Sequence, residues 1–244
     1  MKNSKLFLLP AILLSFVLFS AQAYAASGVA KKIEDKIGLD DNVTLQERVD
    51  AIGQKIAGAC DRKDIIYTFK VLKDKDINAF ALPDGYIYVY RGLVDKTKKD
   101  DEIAAVLAHE VAHIAAGHHK ERLHRAILAN IFSMVAISGA STNADRVNIN
   151  TAIGELTLSY SREEEIEADM LSAVYLKRAG YDPQAVISMI QILVKSEMSG
   201  PIKPYRRWRT HPYLSDRIRA ARKEISGNIE FMDYANTPTH GVER

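Results

Sequence analysis

Residues 109–113 of the chain read His109-Glu110-Val111-Ala112-His113, and this pentapeptide decides how the rest of the sequence is interpreted. Residues four apart on a helix lie on the same face, so both imidazoles can reach one tetrahedral metal ion. Glu110 lies one step round the helix, where its carboxylate can reach a metal-bound water without being a ligand. The motif therefore indicates metal-activated hydrolysis, with Glu110 as the general base.

The residues around the motif predict that its helix is buried. The run from 102 to 118 is apolar on nearly every side except at the motif itself, and a helix of this kind lies in a protein interior. Burying three polar side chains there without partners would be costly. A metal ion removes that cost, which favours a metal site over two ordinary core histidines.

A third ligand is needed, and the residues leave two alternatives. His119 holds the position at which one class of such sites has a third histidine, but the glycine which that class requires is displaced by one residue, to Gly117. A second class takes a glutamate from a separate downstream helix. There, Glu165 could bind the metal while Asp169, four residues later, hydrogen-bonds the free nitrogen of a ligand histidine. Spacing alone does not decide between the two classes.

The sequence before the motif predicts one helix and a small antiparallel sheet. A capping box at 44–47 and apolar residues at helical spacing predict a helix from about 45 to 59. Three runs rich in β-forming residues, the last two around a Pro-Asp-Gly turn, predict strands at 65–71, 78–82 and 86–90.

After the motif the pattern is helical. Helices are predicted at 161–178, from 183 to about 197, and from Pro212 to about 225. A further apolar stretch at 126–140 contains polar residues and is too short for a secure membrane span. The expected fold class is α+β, mostly helical, with the small sheet over a metal-bearing helix pair.

The first 25 residues read as a secretory signal peptide. Lys2 and Lys5 precede an apolar stretch over 6–19, and Ala23-Tyr24-Ala25 matches the small-x-small cleavage pattern. Without the two lysines, 31 basic residues balance 31 acidic ones, so nothing in the charge predicts a nucleic-acid partner. The lone Cys60 cannot form an intrachain disulfide. We expect an exported, periplasmic protein.

Four blocks of sequence between Asp76 and Lys223 occur in an order that points to a known family. They are 78–85, 101–113 with His118 after it, 161–169 and 211–218. Together they resemble the HtpX-like family of zinc metallopeptidases, which includes the CAAX prenyl endopeptidases, and in particular its BepA-like periplasmic branch without C-terminal repeats. The resemblance implies a zincin-like domain, one Zn²⁺ per chain and endopeptidase activity.

The resemblance also implies roles for individual residues. Glu165 becomes the third zinc ligand beside the two motif histidines, and Asp169 becomes the partner of a ligand side chain. His211 and Arg217 would lie near the metal and stabilise the tetrahedral oxyanion or gate the site. Asn78 matches an asparagine at the substrate edge, where the strand could pair with a peptide substrate.

The expected organisation is a signal peptide followed by one metallopeptidase domain over 26–244. Within it we expect N-terminal helices over 26–62, a catalytic core over 63–226 and a tail over 227–244. We predict an exported zinc metalloendopeptidase that cleaves unfolded or misassembled envelope polypeptides in protein quality control.

Two alternatives remain open from the sequence. One is a chaperone-like protein whose metal site is latent, for example because His211 takes the position of the water. The other is a membrane-associated assembly factor that uses residues 126–140 as an anchor. Neither alternative removes the metal site, and the oligomeric state is not predicted.

Overall fold

The computed structural model describes residues 28–122, 159–198, 211 and 213–226, and all structural statements concern these residues. The predicted signal peptide and the apolar stretch at 126–140 lie outside them. In chain order the elements are α1 (28–37), α2 (Val43–Ala59), β1 (Thr68–Leu72), β2 (Ala79–Ala81), β3 (Tyr86–Tyr90), α3 (Arg91–Val94), α4 (Asp100–Ala116), α5 (Arg162–Ala179), α6 (Ala185–Met198) and α7 (Leu214–Ser226).

The architecture confirms the predicted α+β class, with helices predominating over one small sheet. The predicted helices begin and end within about two residues of their expected bounds. The four-residue α3 was not predicted, because a single turn has no apolar periodicity to detect. None of the helices in the described part of the chain has the length and hydropathy needed to cross a bilayer.

The sheet is mixed rather than purely antiparallel. Strands β2 and β3 form the predicted hairpin, with Ala79 opposite Val89. Strand β3 lies between β1 and β2, and β1 runs parallel to it, with Thr68 opposite Tyr86. The strand directions alternate along the chain as expected. The order of neighbours differs from the expectation, and β1 begins at Thr68 rather than at residue 65.

Helix α4 is the central element, packed against α2, α5, α6 and the β2–β3 hairpin. Every residue from Ile103 to Ile114 is buried, as expected for a helix that is apolar all round. Three acidic residues in its first turn favour the helix start through the helix dipole. The helix ends at Gly117, whose φ of 79° is a left-handed conformation that glycine adopts at low cost.

Helix α5 lies along α4 and brings a second set of polar residues to the core. Its start is fixed by a capping box in which the Ser161 side chain accepts from the Glu164 backbone and Glu164 accepts from the Ser161 backbone. Packing of this helix against α4 leaves Glu165 and Asp169 both buried.

Candidate metal centre

Helices α4 and α5 bring the three predicted metal ligands together. Nε2 of His113 lies 3.1 Å from Nε2 of His109 and 3.5 Å from Oε1 of Glu165. With His211, these residues offer ligand atoms that all lie within 4.8 Å of one another. His119, the alternative third ligand, is outside this group and pairs instead with Tyr160.

The donor set fits a divalent metal such as zinc. Two imidazole nitrogens and one carboxylate converge on one point, as in catalytic zinc sites. The other ring nitrogens of His109 and His113 lie beside separate partners, which leaves the two Nε2 atoms facing each other 3.1 Å apart. At this distance a proton or a cation must lie between them, and a metal ion can take that place.

His109 is held from behind by a buried carboxylate. Its Nδ1 lies 2.9 Å from Oδ1 of Asp169, although the N–H is not well aligned with that oxygen. Asp169 accepts from Nε and Nη2 of Arg217 at 2.7 and 2.8 Å. The structure therefore places Asp169 beside one of the two motif histidines. This position is the one required for the predicted hydrogen bond from Asp169 to a ligand histidine.

His113 is held from behind by a different side chain, His118. Its Nδ1 lies 2.9 Å from Nδ1 of His118, and Nε2 of His118 lies 3.4 Å from Glu167. His118 is buried, and the left-handed Gly117 turns the chain so that His118 comes back to His113. A relay follows in which His113 donates to His118 and His118 donates to Glu167.

Tyr160 packs against the same ligand and was not singled out by sequence. Its ring stacks on the His113 ring with centroids 3.7 Å apart and an angle of 19°. Its hydroxyl lies 3.1 Å from Nδ1 of His119, and the Arg122 guanidinium lies 4.9 Å from its ring centre. Tyr160 therefore limits rotation of the His113 ring and gives His119 a structural role.

His211 takes the fourth place in the cluster. Its Nδ1 lies 2.9 Å from Oε1 of Glu165 and 3.3 Å from Nε2 of His109, and its Nε2 lies 3.5 Å from Glu110. Its side chain is 12% exposed. The predicted proximity to the metal ligands is therefore present, but in this arrangement His211 stands among the ligands rather than outside them.

Arg217 is completely buried behind the ligands. Besides its two bonds to Asp169, its Nη1 forms an ion pair of 2.6 Å with Glu165 and donates to the backbone oxygen of His211 at 3.4 Å. These contacts occupy most of the guanidinium. They favour a role for Arg217 in holding the two carboxylates in place, rather than the role in stabilising the oxyanion that the family resemblance implied.

The charges of the cluster follow from burial opposed by these ion pairs. Burial raises the pKa of Glu165, but Arg217 and the neighbouring histidines together outweigh burial and hold that pKa well below its usual value. Burial lowers the pKa of the His113 imidazole. Burial and Arg217 also oppose charging His109, but Asp169 and Glu165 outweigh them and raise its pKa to about 9.

We expect zinc binding at pH 7 to release about one proton from His109, since a ligand histidine must be neutral. Of the three predicted ligands, Glu165 is already ionised and His113 already neutral at this pH. Because the His109 pKa is raised to about 9, apparent affinity should rise about tenfold per pH unit between 6 and 9. Calorimetry of zinc binding in buffers of different ionisation enthalpy measures the release. Zero proton release would contradict the charge assignment.

Replacing His118 with alanine is expected to weaken metal binding by about 10–100-fold, because His113 loses the partner that fixes its orientation. In His118→Asn the side-chain oxygen falls near the position of Nδ1, so this variant should recover much of the affinity. Competition with a metal chelator measures both. Equal losses in the two variants would show that His118 only fills space.

The two remaining predicted residues lie at a pocket beside the cluster. Asn78, at the start of β2, and Glu110 both line this pocket together with His109. Oε2 of Glu110 is buried and has no hydrogen-bond partner among the described residues. Glu110 therefore holds a carboxylate oxygen available for a ligand or a water at the edge of the metal centre.

Comparison with known proteins gives the same picture. Residues 44–225 match peptidase family M48. The chain is 31% identical to Metalloprotease YcaL of Escherichia coli, 30% to Mitochondrial metalloendopeptidase OMA1 of Schizosaccharomyces pombe, and 25% to the Beta-barrel assembly-enhancing protease of Yersinia pestis. These alignments cover 65%, 70% and 75% of the chain, but only 62%, 50% and 39% of the respective relatives.

The matched segment takes in most of the chain and every residue of the metal centre. The similar proteins are named as metalloproteases, metalloendopeptidases or proteases. The match agrees with the family resemblance found in the sequence, and the chain belongs to peptidase family M48.

Proposed function

We propose that the protein is a zinc-dependent endopeptidase with one zinc ion per chain, held by His109, His113 and Glu165. The observation that carries the proposal is the convergence of these three donors, beside which one oxygen of Glu110 has no hydrogen-bond partner among the described residues. A binding protein would have no need for a free carboxylate at the metal, whereas peptide hydrolysis requires a base there.

Bound zinc would polarise the scissile carbonyl and lower the pKa of the attacking water. Glu110 accepts a proton from that water as its oxygen adds to the carbonyl carbon. Glu110 then returns the proton to the amide nitrogen as the C–N bond breaks. His211, whose Nε2 lies 3.5 Å from Glu110, would donate a hydrogen bond to the oxyanion after moving out of the cluster. Arg217 keeps Asp169 and Glu165 ionised and in place.

In the described part of the chain, the outer edge of β2 pairs with no other strand, and this edge is suited to hold the substrate. The backbone N–H of Tyr90 donates to the carbonyl oxygen of Asn78, and the backbone N–H of Leu82 donates to that of Tyr86. Because residues that bond to the neighbouring strand alternate with residues that do not, the backbone groups of Ala79 and Ala81 are directed away from β3. A substrate in extended form could pair with these groups. Asn78, adjacent to this edge and to Glu110, would contact the substrate near the cut bond.

For biological context we propose an exported protein that acts in the periplasm on unfolded or misassembled envelope polypeptides. The name of the Yersinia pestis relative, a protease that enhances β-barrel assembly, supports this setting. We further propose that residues 1–25 are removed on export and that 26–244 form one metallopeptidase domain. Peripheral contact with the membrane through residues 126–140 is part of this proposal.

The test is metal content measured together with proteolysis. The purified protein is expected to bind about one zinc and to cleave unfolded casein, with activity lost to a chelator and restored by zinc. Glu110→Gln is the matched control, since it should keep the zinc and lose cleavage. Zinc binding without cleavage by either form would contradict the protease, and absence of zinc would contradict the ligand assignment.

A second candidate, a chaperone-like protein with a latent metal site, is favoured by one observation. The Nδ1 atom of His211 lies 2.9 Å from Glu165 and belongs to the group of donors, so it would compete with a catalytic water for a fourth position on a bound metal. Under this candidate, a cell that depends on the protein should still be rescued by Glu110→Gln. If His211→Ala instead raises casein cleavage, His211 restrains an active protease.

A further inference from the structure

The outward face of helix α5 carries a row of five side chains that are exposed or half-buried. With 3.6 residues per turn, the five lie within about 80° of the helix surface, on the side away from Glu165 and the metal centre. Two of them are large apolar side chains with 38% and 41% of their surface exposed, Met170 and Val174. The outward row consists of Glu163, Ile166, Met170, Val174 and Lys177.

The outward row is symmetric about its central residue, Met170. The apolar residues Ile166 and Val174 lie four positions to either side of it, and the oppositely charged Glu163 and Lys177 lie seven positions to either side. A second copy of the helix laid antiparallel across Met170 would therefore bring every glutamate of the row to a lysine. It would also bring apolar side chains together along the rest of the row. A two-fold interface joins identical surfaces of two copies in this manner.

We propose that the protein forms a two-fold symmetric dimer in which the α5 helices of two copies pack antiparallel, with the symmetry axis at Met170. The inference goes beyond the proposed function and does not depend on it. Successive residues of the row are three, four, four and three positions apart, and such spacing keeps side chains on one seam between packed helices. From Glu163 to Lys177 the seam is about 21 Å long.

The charges beside the outward row favour a second copy over other occupants. An anionic membrane surface selects lysine and arginine on the polar flanks of a helix, whereas this row begins with Glu163. Arg162 and Arg178 also occupy symmetric positions and would meet across the axis. Arg162 is paired with Asp216 at 3.0 Å, and Arg178 is paired with Asp61 at 2.6 Å. Their charges are therefore balanced within each copy, which reduces repulsion in the dimer.

The dimer is expected to be weak, because one helix pair is a small interface. Stable complexes bury about 800 Å² on each partner, which is more than five side chains supply. We therefore expect a Kd on the order of 10 μM. Sedimentation velocity of the purified protein between about 1 and 200 μM should show a shift from monomer towards dimer. A monomer at every concentration would overturn the proposal.

Met170→Glu tests whether the outward row forms the interface. It removes the central apolar contact and places two carboxylates face to face on the axis, so the Kd should rise by at least about a hundredfold. Val43→Glu is the matched control, because Val43 is a 67% exposed apolar residue in the first turn of α2. A glutamate there suits the helix dipole and should leave the Kd unchanged. A dimer that survives Met170→Glu, or is lost equally in both variants, would place the interface elsewhere.

An exchange of charges tests the antiparallel register. Glu163→Lys and Lys177→Glu each bring like charges together across the axis, and each should raise the Kd by about tenfold. The double variant pairs opposite charges again and should recover most of the wild-type affinity. Because the two side chains lie about 21 Å apart within one chain, this recovery can arise only between copies. Both changes oppose the dipole of α5, so a loss caused by a weakened helix would be largest in the double variant. That result would overturn the register.

Discussion

Replacing Arg217 with methionine is expected to lower the free energy of unfolding of the metal-free protein by about 3–5 kcal/mol. Methionine fills similar space without the charge, so the loss comes from leaving Asp169 and Glu165 buried without their cation. Burial would then raise the pKa of both carboxyl groups, which Arg217 now holds low. Urea unfolding in the presence of a chelator measures the change without a contribution from metal binding.

The pH dependence of this loss identifies its cause. A carboxyl whose pKa is lower in the folded state contributes stability above its unfolded pKa and loses it as the pH falls. The difference between wild type and Arg217→Met should therefore be largest near pH 7 and shrink below about pH 4.

Two further variants complete the Arg217 experiment. Arg162→Met is the matched control, because Arg162 pairs with Asp216 at a half-exposed site and such pairs contribute about 1 kcal/mol or less. Arg217→Lys keeps the charge but cannot make both bonds to Asp169, so its stability should fall between the other two. A change in Arg217→Met no larger than in Arg162→Met would show that the buried cluster is not held by this arginine.

Helix α4 shows what the sequence alone can predict. An apolar surface on every side requires burial wherever the helix lies, so the pattern predicted the observed element to within two residues at each end. The positions of His109 and His113 on one face follow from helix geometry, which does not depend on the rest of the fold. Local rules therefore sufficed for the helix and for two of the ligands.

Contacts between distant segments were beyond those rules. Spacing left Glu165 and His119 as alternatives, and the choice depends on how α5 packs on α4. The parallel pairing of β1 with β3 likewise depends on which strands become neighbours. Nothing local shows that Gly117 turns His118 back to His113, or that Tyr160 stacks on that ligand.

The family resemblance supplied residues but not all of their contacts. It placed His211 and Arg217 near the metal, and both do lie within or behind the cluster. It did not indicate that Arg217 is fully buried and paired with two carboxylates. Burial and pairing are properties of the packed structure, and they are what favours a positioning role for this side chain.

Replacing Glu165 with glutamine is expected to lower zinc affinity by more than about a hundredfold and to abolish proteolysis. The amide has nearly the same shape, but it lacks the negative charge that the site supplies to a divalent cation. A change in the ligand itself should exceed the 10–100-fold loss typical of the groups behind ligands. Zinc content after dialysis, and competition with a chelator, measure the loss.

Glu163→Gln provides the matched control for this last variant. Glu163 makes the same substitution possible two residues earlier on α5, but its side chain is exposed and lies outside the cluster. It should keep wild-type zinc affinity and activity. If Glu165→Gln also retained zinc, the third ligand would have to come from elsewhere, and the alternative of His119 would return. Loss of zinc in Glu165→Gln alone would assign the site to the pair of helices α4 and α5, because only their packing brings Glu165 to the two histidines.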